Sequence, residues 1–248
     1  MKIRNETRVK SSWLSHRRQN MRKMQILRVS LIDYTVREAI RKVEEYLREG
    51  KLHTIAYISK KGVMEADENQ QVKEFIEKMD MMLCADSDLL RAANVESWNR
   101  IREIDENLFM EEFLKKMIRQ RKNLYILAQT QVELLQLEEH LRSYQENLNI
   151  VGRYALEHLS VDEEFVVNEI NGLEPDVLVS YLPSMKRIEF YDSNCMKINV
   201  NIWLMLKDDV VLHNKNKGLI RKISDRFLRG VFKKKTKQYH NENGIDEV

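Results

Sequence analysis

Apolar positions along the chain fall into two kinds of run that alternate. HTIAYIS (53–59), NLYILAQ (123–129) and DVLVSYL (176–182) are short and continuously apolar, which predicts strands buried on both faces. The runs 24–32, 79–85, 148–154 and 196–206 read the same way. Between them the apolar residues recur at helical spacing. In TVREAIRKVEEYLREG, Thr35 and Glu38 have capping-box spacing. Val36, Ala39, Ile40, Val43 and Leu47 share one face, and Gly50 stops the helix. Further helices are predicted over 63–79, near 87–97, and over 107–121, 131–146, 161–171, 184–192 and 217–235. Strand and helix alternate from 24 to 206. That order predicts an α/β domain, a mostly parallel sheet with helices on both faces.

Composition narrows this. Seven glycines and two prolines in 248 residues are too few for an all-β fold with many tight turns. No stretch is long and apolar enough to span a bilayer, and the start of the sequence lacks the charged-then-apolar order of a signal peptide. Two cysteines, Cys84 and Cys195, make no disulfide framework and fit a reducing cytoplasm.

Charge divides the chain. Residues 1–28 hold nine Lys/Arg against one acid, and 215–239 hold ten against Asp225 alone. The stretch between them carries a net of −11, although the whole chain carries only +3. The organisation read from this is a basic, flexible arm (1–23), one domain (24–214), and a basic amphipathic helix with an acidic tail (215–248). Ile220, Ile223, Phe227 and Val231 form a stripe among Arg221, Lys222, Arg226, Arg229 and Lys233–Lys235, the pattern of a helix lying on an anionic membrane. The competing reading is a helix packed on the acidic body. The arm, with Trp13 and Leu14 among basic residues, has no nucleic-acid motif, and no nucleic-acid partner is expected.

The order of segments resembles the WecG/TagA/CpsF glycosyltransferases from Ile26 to about Lys235. ILRVSLIDYTVREAIRKVEEYLREGKLHTIAYIS is similar to the family's opening, a strand ending in I-D, then T-x-x-E-A, a helix, G-K and a strand. VMEADENQQVKEFIEKMDMMLCADS resembles the segment ending in A-D-L-V-x-x-D-G. NRIREIDENLF resembles R-V-x-G-x-D-L-F, and EPDVLVSYLPSMKRIEF stands where the family has P-D-I-L-x-V-G-L-G-x-P-K-Q-E. The resemblance implies a Rossmann-like core. It implies transfer of an N-acetylmannosamine-like sugar from a UDP donor to a lipid-pyrophosphate-linked acceptor, with no metal or cofactor, at the inner face of the cell membrane. It also implies small oligomers.

Carried over residue by residue, the family's T-x-N-x-E falls on Tyr57, Ser59 and Lys61. Its catalytic Asp falls on Ala85, with Asp86 one residue later. Its Gly-Gly turn falls on Ala128-Gln129, and its glycine loop on Ser180, Leu182, Ser184, Met185, Lys186 and Arg187. Arg100 and Asp105 are retained, with Glu103 in place of glycine. The resemblance thus implies Asp86 as general base and Arg100, Asp105, Ser59, Lys186 and Arg187 as donor-binding residues. It leaves Arg221, Arg226, Arg229 and Lys233 to meet lipid. Against each stands a plainer role: Asp86 with Ser87 and Asp88 as helix caps, Arg100 and Asp105 as surface groups near a helix start, Lys186 and Arg187 on a solvated helix face. Lost glycines remove the close backbone approach that phosphate needs. Two readings follow, a divergent transferase or an inactive relative that holds a paralogue or another polysaccharide enzyme at the membrane. The six histidines show no metal-ligand spacing, and no structural metal is expected.

Overall fold

The computed structural model describes residues 22–158, 163–206 and 218–243; for residues 158 and 218–227 it describes the backbone alone. Six strands form one parallel sheet: β3 (His53–Ile58), β4 (Met81–Cys84), β5 (Asn123–Ala128), β6 (Asn149–Ala155), β7 (Val177–Tyr181) and β8 (Ile202–Leu206). Their spatial order is β4-β3-β8-β7-β5-β6.

The helices are α1 (Val36–Glu49), α2 (Lys60–Glu68), α3 (Gln70–Lys78), α4 (Ser87–Ala92), α5 (Trp98–Asp105), α6 (Leu108–Arg119), α7 (Gln131–Tyr144), α8 (Glu163–Leu173), α9 (Ser184–Asn194) and α10 (Gly218–Asn243). Side chains alternate across the sheet into two cores, because successive strand residues point to opposite faces. Ile55, Tyr57, Leu124, Ile126, Val179 and Leu204 pack with α1, α6 and α7. Ala56, Ile58, Tyr125, Leu127, Leu178 and Trp203 pack with α2, α3, α4, α8, α9 and α10. Burial on both faces is why these strands read as unbroken apolar runs.

The α/β class and the mostly parallel sheet hold. So does the first helix: Thr35 Oγ1 accepts from the Glu38 N–H while Glu38 reaches back to the Thr35 N–H, and Gly50 closes the helix at φ 66°.

Four expectations change. Residues 24–32 are no strand of the main sheet. They form an antiparallel hairpin, β1 (Lys23–Ile26) and β2 (Val29–Ile32), turning at Leu27 with φ 51°. Leu27 is buried, and its packing against the α2 side of the sheet offsets that backbone strain. The helix over 63–79 is two, broken at Asn69, whose Oδ1 caps α3 by accepting from the Gln71 N–H at 2.9 Å. The helix near 87–97 stops at Ala92, and α5 follows as a separate helix. The strand over 196–206 begins at Ile202.

The C-terminal helix runs to Asn243 and packs on α2 and α4. Phe232 is 1% exposed and Thr236 is buried one turn later, while Val231 is half-buried. Ile220, Ile223 and Phe227 of the expected stripe lie outside the described side chains, as do Arg221 and Arg226. The arm expected over 1–23 lies outside the described residues up to position 21. Among the described residues no helix is long and apolar enough to cross a membrane.

Candidate functional site

In a parallel sheet all carboxyl ends lie along one rim, and α/β proteins place ligands there. From β5 the chain moves to β6 on one side, and from β7 it moves to β8 on the other. The helices that follow, α7 and α9, cover opposite faces. The carboxyl ends of β5 and β7 therefore flank the topological switch point, with Ala128 paired to Tyr181. One position of the Gly-Gly turn and two of the glycine loop stand here, and their side chains turn inward. Ala128 and Leu182 are buried, and Ser180 Oγ accepts from Trp203 Nε1 at 2.8 Å.

Next along the rim, Ser59 ends β3 and starts α2. Its Oγ accepts from the Gly62 N–H at 3.1 Å, so it is the N-cap. Asp86 follows β4 and stands at the N-cap position of α4, but its carboxylate does not cap that helix. It turns instead to the start of α2, where Asp86 Oδ2 accepts from the Lys60 N–H at 2.9 Å. The Lys60 ammonium lies 3.8 Å from Asp86 Oδ1 and 3.3 Å from Asp88 Oδ2. A carboxylate at a helix N-terminus is favoured by the orphan N–H groups and the helix dipole. Asp88 is buried and gathers three cations: Lys60, Arg91 at 3.2 Å, and Arg229 of α10, whose Nε lies 2.9 Å from Oδ2. The C-terminal helix is thus anchored two residues from Asp86.

Arg100 lies beside this group and faces inward. Its Nε and Nη2 donate to Asp33 Oδ1 at 3.1 and 2.7 Å, Nη2 donates to the Tyr34 carbonyl at 2.6 Å, and Nη1 donates to Glu103. Glu103 also accepts from the Val36 N–H at 3.2 Å. Burial lowers the pKa of Arg100, but bonds and charge from Asp33 and Glu103 outweigh it and leave a net rise. Cys84 sits near Asp33, Arg100 and Asp86, and burial, with help from the two acids, pushes its thiol up to about 12.

Of the remaining residues, Arg187 and Ser59 meet at one cleft with Lys61 and Ser184, between α2 and α9 on the rim. Arg187 lies over the Phe75 ring at 5.6 Å and donates to the Leu206 carbonyl at 3.3 Å. Lys186 points away to Glu163 at 3.0 Å, and Asp105 is exposed at the end of α5. Lys233 is exposed on α10. The structure therefore groups Asp86 with Lys60 and Asp88, Arg100 with Asp33 and Glu103, and Ser59 with Arg187. It leaves Lys186 and Asp105 outside these groups.

Sequence reasoning passed over Asp33, Lys60 and Asp88 as participants. Asp33 carried a signal, the acid at a strand end. Lys60 gave none, because a lysine at the first turn of a helix reads as solvated.

The glycosyl transferase WecG/TagA/CpsF family model matches residues 24–206. The chain belongs to that family. No curated protein gives a significant match to it. The matched span runs from the hairpin to the end of β8, so Asp33, Asp86, Arg100 and both altered glycine turns fall inside it, and α10 falls outside. In this family member the turn between β7 and α9 is filled by side chains.

Proposed function

We propose that the chain transfers an N-acetylmannosamine-like sugar from a UDP donor to a lipid-pyrophosphate-linked acceptor at the inner membrane face, in envelope polysaccharide synthesis. The observation that carries this reading is the placement of Asp86. Its carboxylate stands at the carboxyl end of β4, is held in orientation by the Lys60 N–H, and keeps 21% of its side chain exposed. A carboxylate so fixed accepts the proton of the acceptor hydroxyl as that oxygen bonds the sugar's anomeric carbon and UDP departs. Arg187, Lys61 and the starts of α2 and α9 at the neighbouring cleft supply positive potential for the donor's phosphates in place of glycine amides. Lys233, Lys234 and Lys237 remain exposed on α10 and support contact with an anionic membrane surface.

A second reading is a family member without catalysis that partners a paralogue or another polysaccharide enzyme. It is favoured by Arg100, whose guanidinium is spent on Asp33, Glu103 and the Tyr34 carbonyl, and by Leu182 at the switch point.

Calorimetric titration with UDP and UDP-N-acetylmannosamine separates them. Micromolar binding that Arg187→Ala weakens, with sugar transfer that Asp86→Asn abolishes, supports the transferase. Absence of binding at millimolar nucleotide sinks it and leaves the partner reading.

A further inference from the structure

Trp98 is 67% exposed, although an indole contributes most when its large apolar area is covered. It stands at the first position of α5, and the Arg102 guanidinium, one turn on, lies over its ring at 5.5 Å. Arg102 is itself held by Glu106 at 3.6 Å, a further turn on. One face of the indole is thus covered and the ring is steadied, and among the described residues no other ring or cation meets it. Asp105 completes the row. It is exposed and makes no ion pair among the described residues. Positions 98, 102 and 105 fall on one side of a helix and span about 10 Å along its axis. Arg100 points the opposite way, into its bonds with Asp33.

The surroundings of the row narrow what it can recognise. From Glu96 to Glu106 every exposed residue other than Trp98 is polar, so the ring is no part of an apolar protein-binding core. Three exposed carboxylates, Glu96, Asp105 and Glu106, outnumber the one exposed guanidinium, so a phosphate-bearing ligand is repelled. A neutral pyranose meets both conditions. Its axial C–H groups form a flat apolar face that packs on an indole, while its equatorial hydroxyls radiate toward donors and acceptors at the ring's edge. Equatorial links between such rings keep the apolar faces in line along the helix.

We propose that the outer face of α5 binds a neutral saccharide of β-linked pyranoses, with one ring stacked on Trp98 and the next hydrogen-bonded by Arg102 and Asp105. The row has the length of two linked rings. Because it faces away from Arg100 and stands apart from the cleft between α2 and α9, it holds a saccharide without reacting it. Its role as a hold on the glycan being built rests on the transferase reading, but the binding itself does not.

The test is calorimetric titration of the full chain with cellotetraose, methyl β-glucoside and UDP, for the native protein, Trp98→Ala and Asp105→Ala. The Trp98 ring is exposed, so Trp98→Ala keeps the native melting temperature. Cellotetraose should bind at least about tenfold more tightly than methyl β-glucoside, and Trp98→Ala should weaken it by about tenfold or more while leaving UDP unchanged. Asp105→Ala should bring cellotetraose down toward the affinity of the single ring. Cellotetraose binding no better than the glucoside, or unmoved by Trp98→Ala, overturns the proposal. So does a Trp98→Ala variant that loses UDP instead, which makes the row a nucleotide site. If cellotetraose binds through Trp98 and UDP binds nowhere, the donor reading fails and the saccharide row stands.

Discussion

Arg100 and Asp33 are 67 residues apart in sequence and 2.7 Å apart in space, and both are buried. The pair ties the end of the hairpin to α5 and turns the arginine inward. Arg100→Met leaves the Asp33 carboxylate buried without its cation, and breaking a buried pair costs about 3–5 kcal/mol. Urea denaturation of Arg100→Met should show that loss, and Asp33→Leu/Arg100→Met should recover part of it. A native unfolding midpoint in the single variant contradicts a structural pair.

Gly152 on β6 is fixed by its neighbours. A Cβ there would stand 2.5 Å from the Tyr125 ring and from Leu173, while the Tyr125 hydroxyl donates to Glu169 at 2.8 Å and holds the ring in place. Gly152→Ala should destabilise by about 1–3 kcal/mol through overpacking. Adding Tyr125→Leu should relieve the clash, so the double variant's loss falls below the sum of the two singles in denaturant titrations.

The C-terminal helix is held by Phe232 and by the Arg229–Asp88 pair, with Lys235 reaching Glu68. Asp88→Asn and Phe232→Ala should each raise amide exchange across 228–243 and leave exchange in β5 and β7 unchanged. Salt should mimic the first variant and not the second, since the half-exposed Arg229 is screened and Phe232 is not. Uniform acceleration over the whole chain would contradict local anchoring.

Burial sets an alkaline limit. The Cys84 thiol rises from 9.0 to about 12, and burial, with Cys195, Asp80 and Asp192, raises the Tyr191 phenol from 10.0 to about 12. Both groups hold their protons more tightly folded than unfolded. The stability this gives is fully present below pH 9 and is lost as pH rises through 12. Melting temperature should therefore fall steadily above pH 9. At pH 8 iodoacetamide should leave Cys84 unmodified in the native protein and label it in urea.

The strand order in sequence was legible because each strand of the main sheet is covered on both faces and so reads as one apolar run. The first helix was legible because its capping box and closing glycine are local. The hairpin at 23–32 was not, since its turn carries Leu27 and Arg28 where a glycine or asparagine would mark it. The break at Asn69 was hidden because the apolar spacing continues through it. At the site, Asp86 was legible as an acid beyond a strand. Its attachment to α2 was not, because the cap propensity of an aspartate before Ser87 points to the helix that follows.

The sequence by itself determined the alternation of strand and helix, the family, and the loss of the glycine turns, all of which rest on neighbours within about one helical turn or one strand. Only the tertiary structure decided which charges cancel. Asp33 meets Arg100 from 67 residues away, and Asp88 collects Lys60 and Arg229 from two other helices. Electrostatic pairing falls off with distance in space and is blind to distance along the chain, so no pattern in the sequence could assign it.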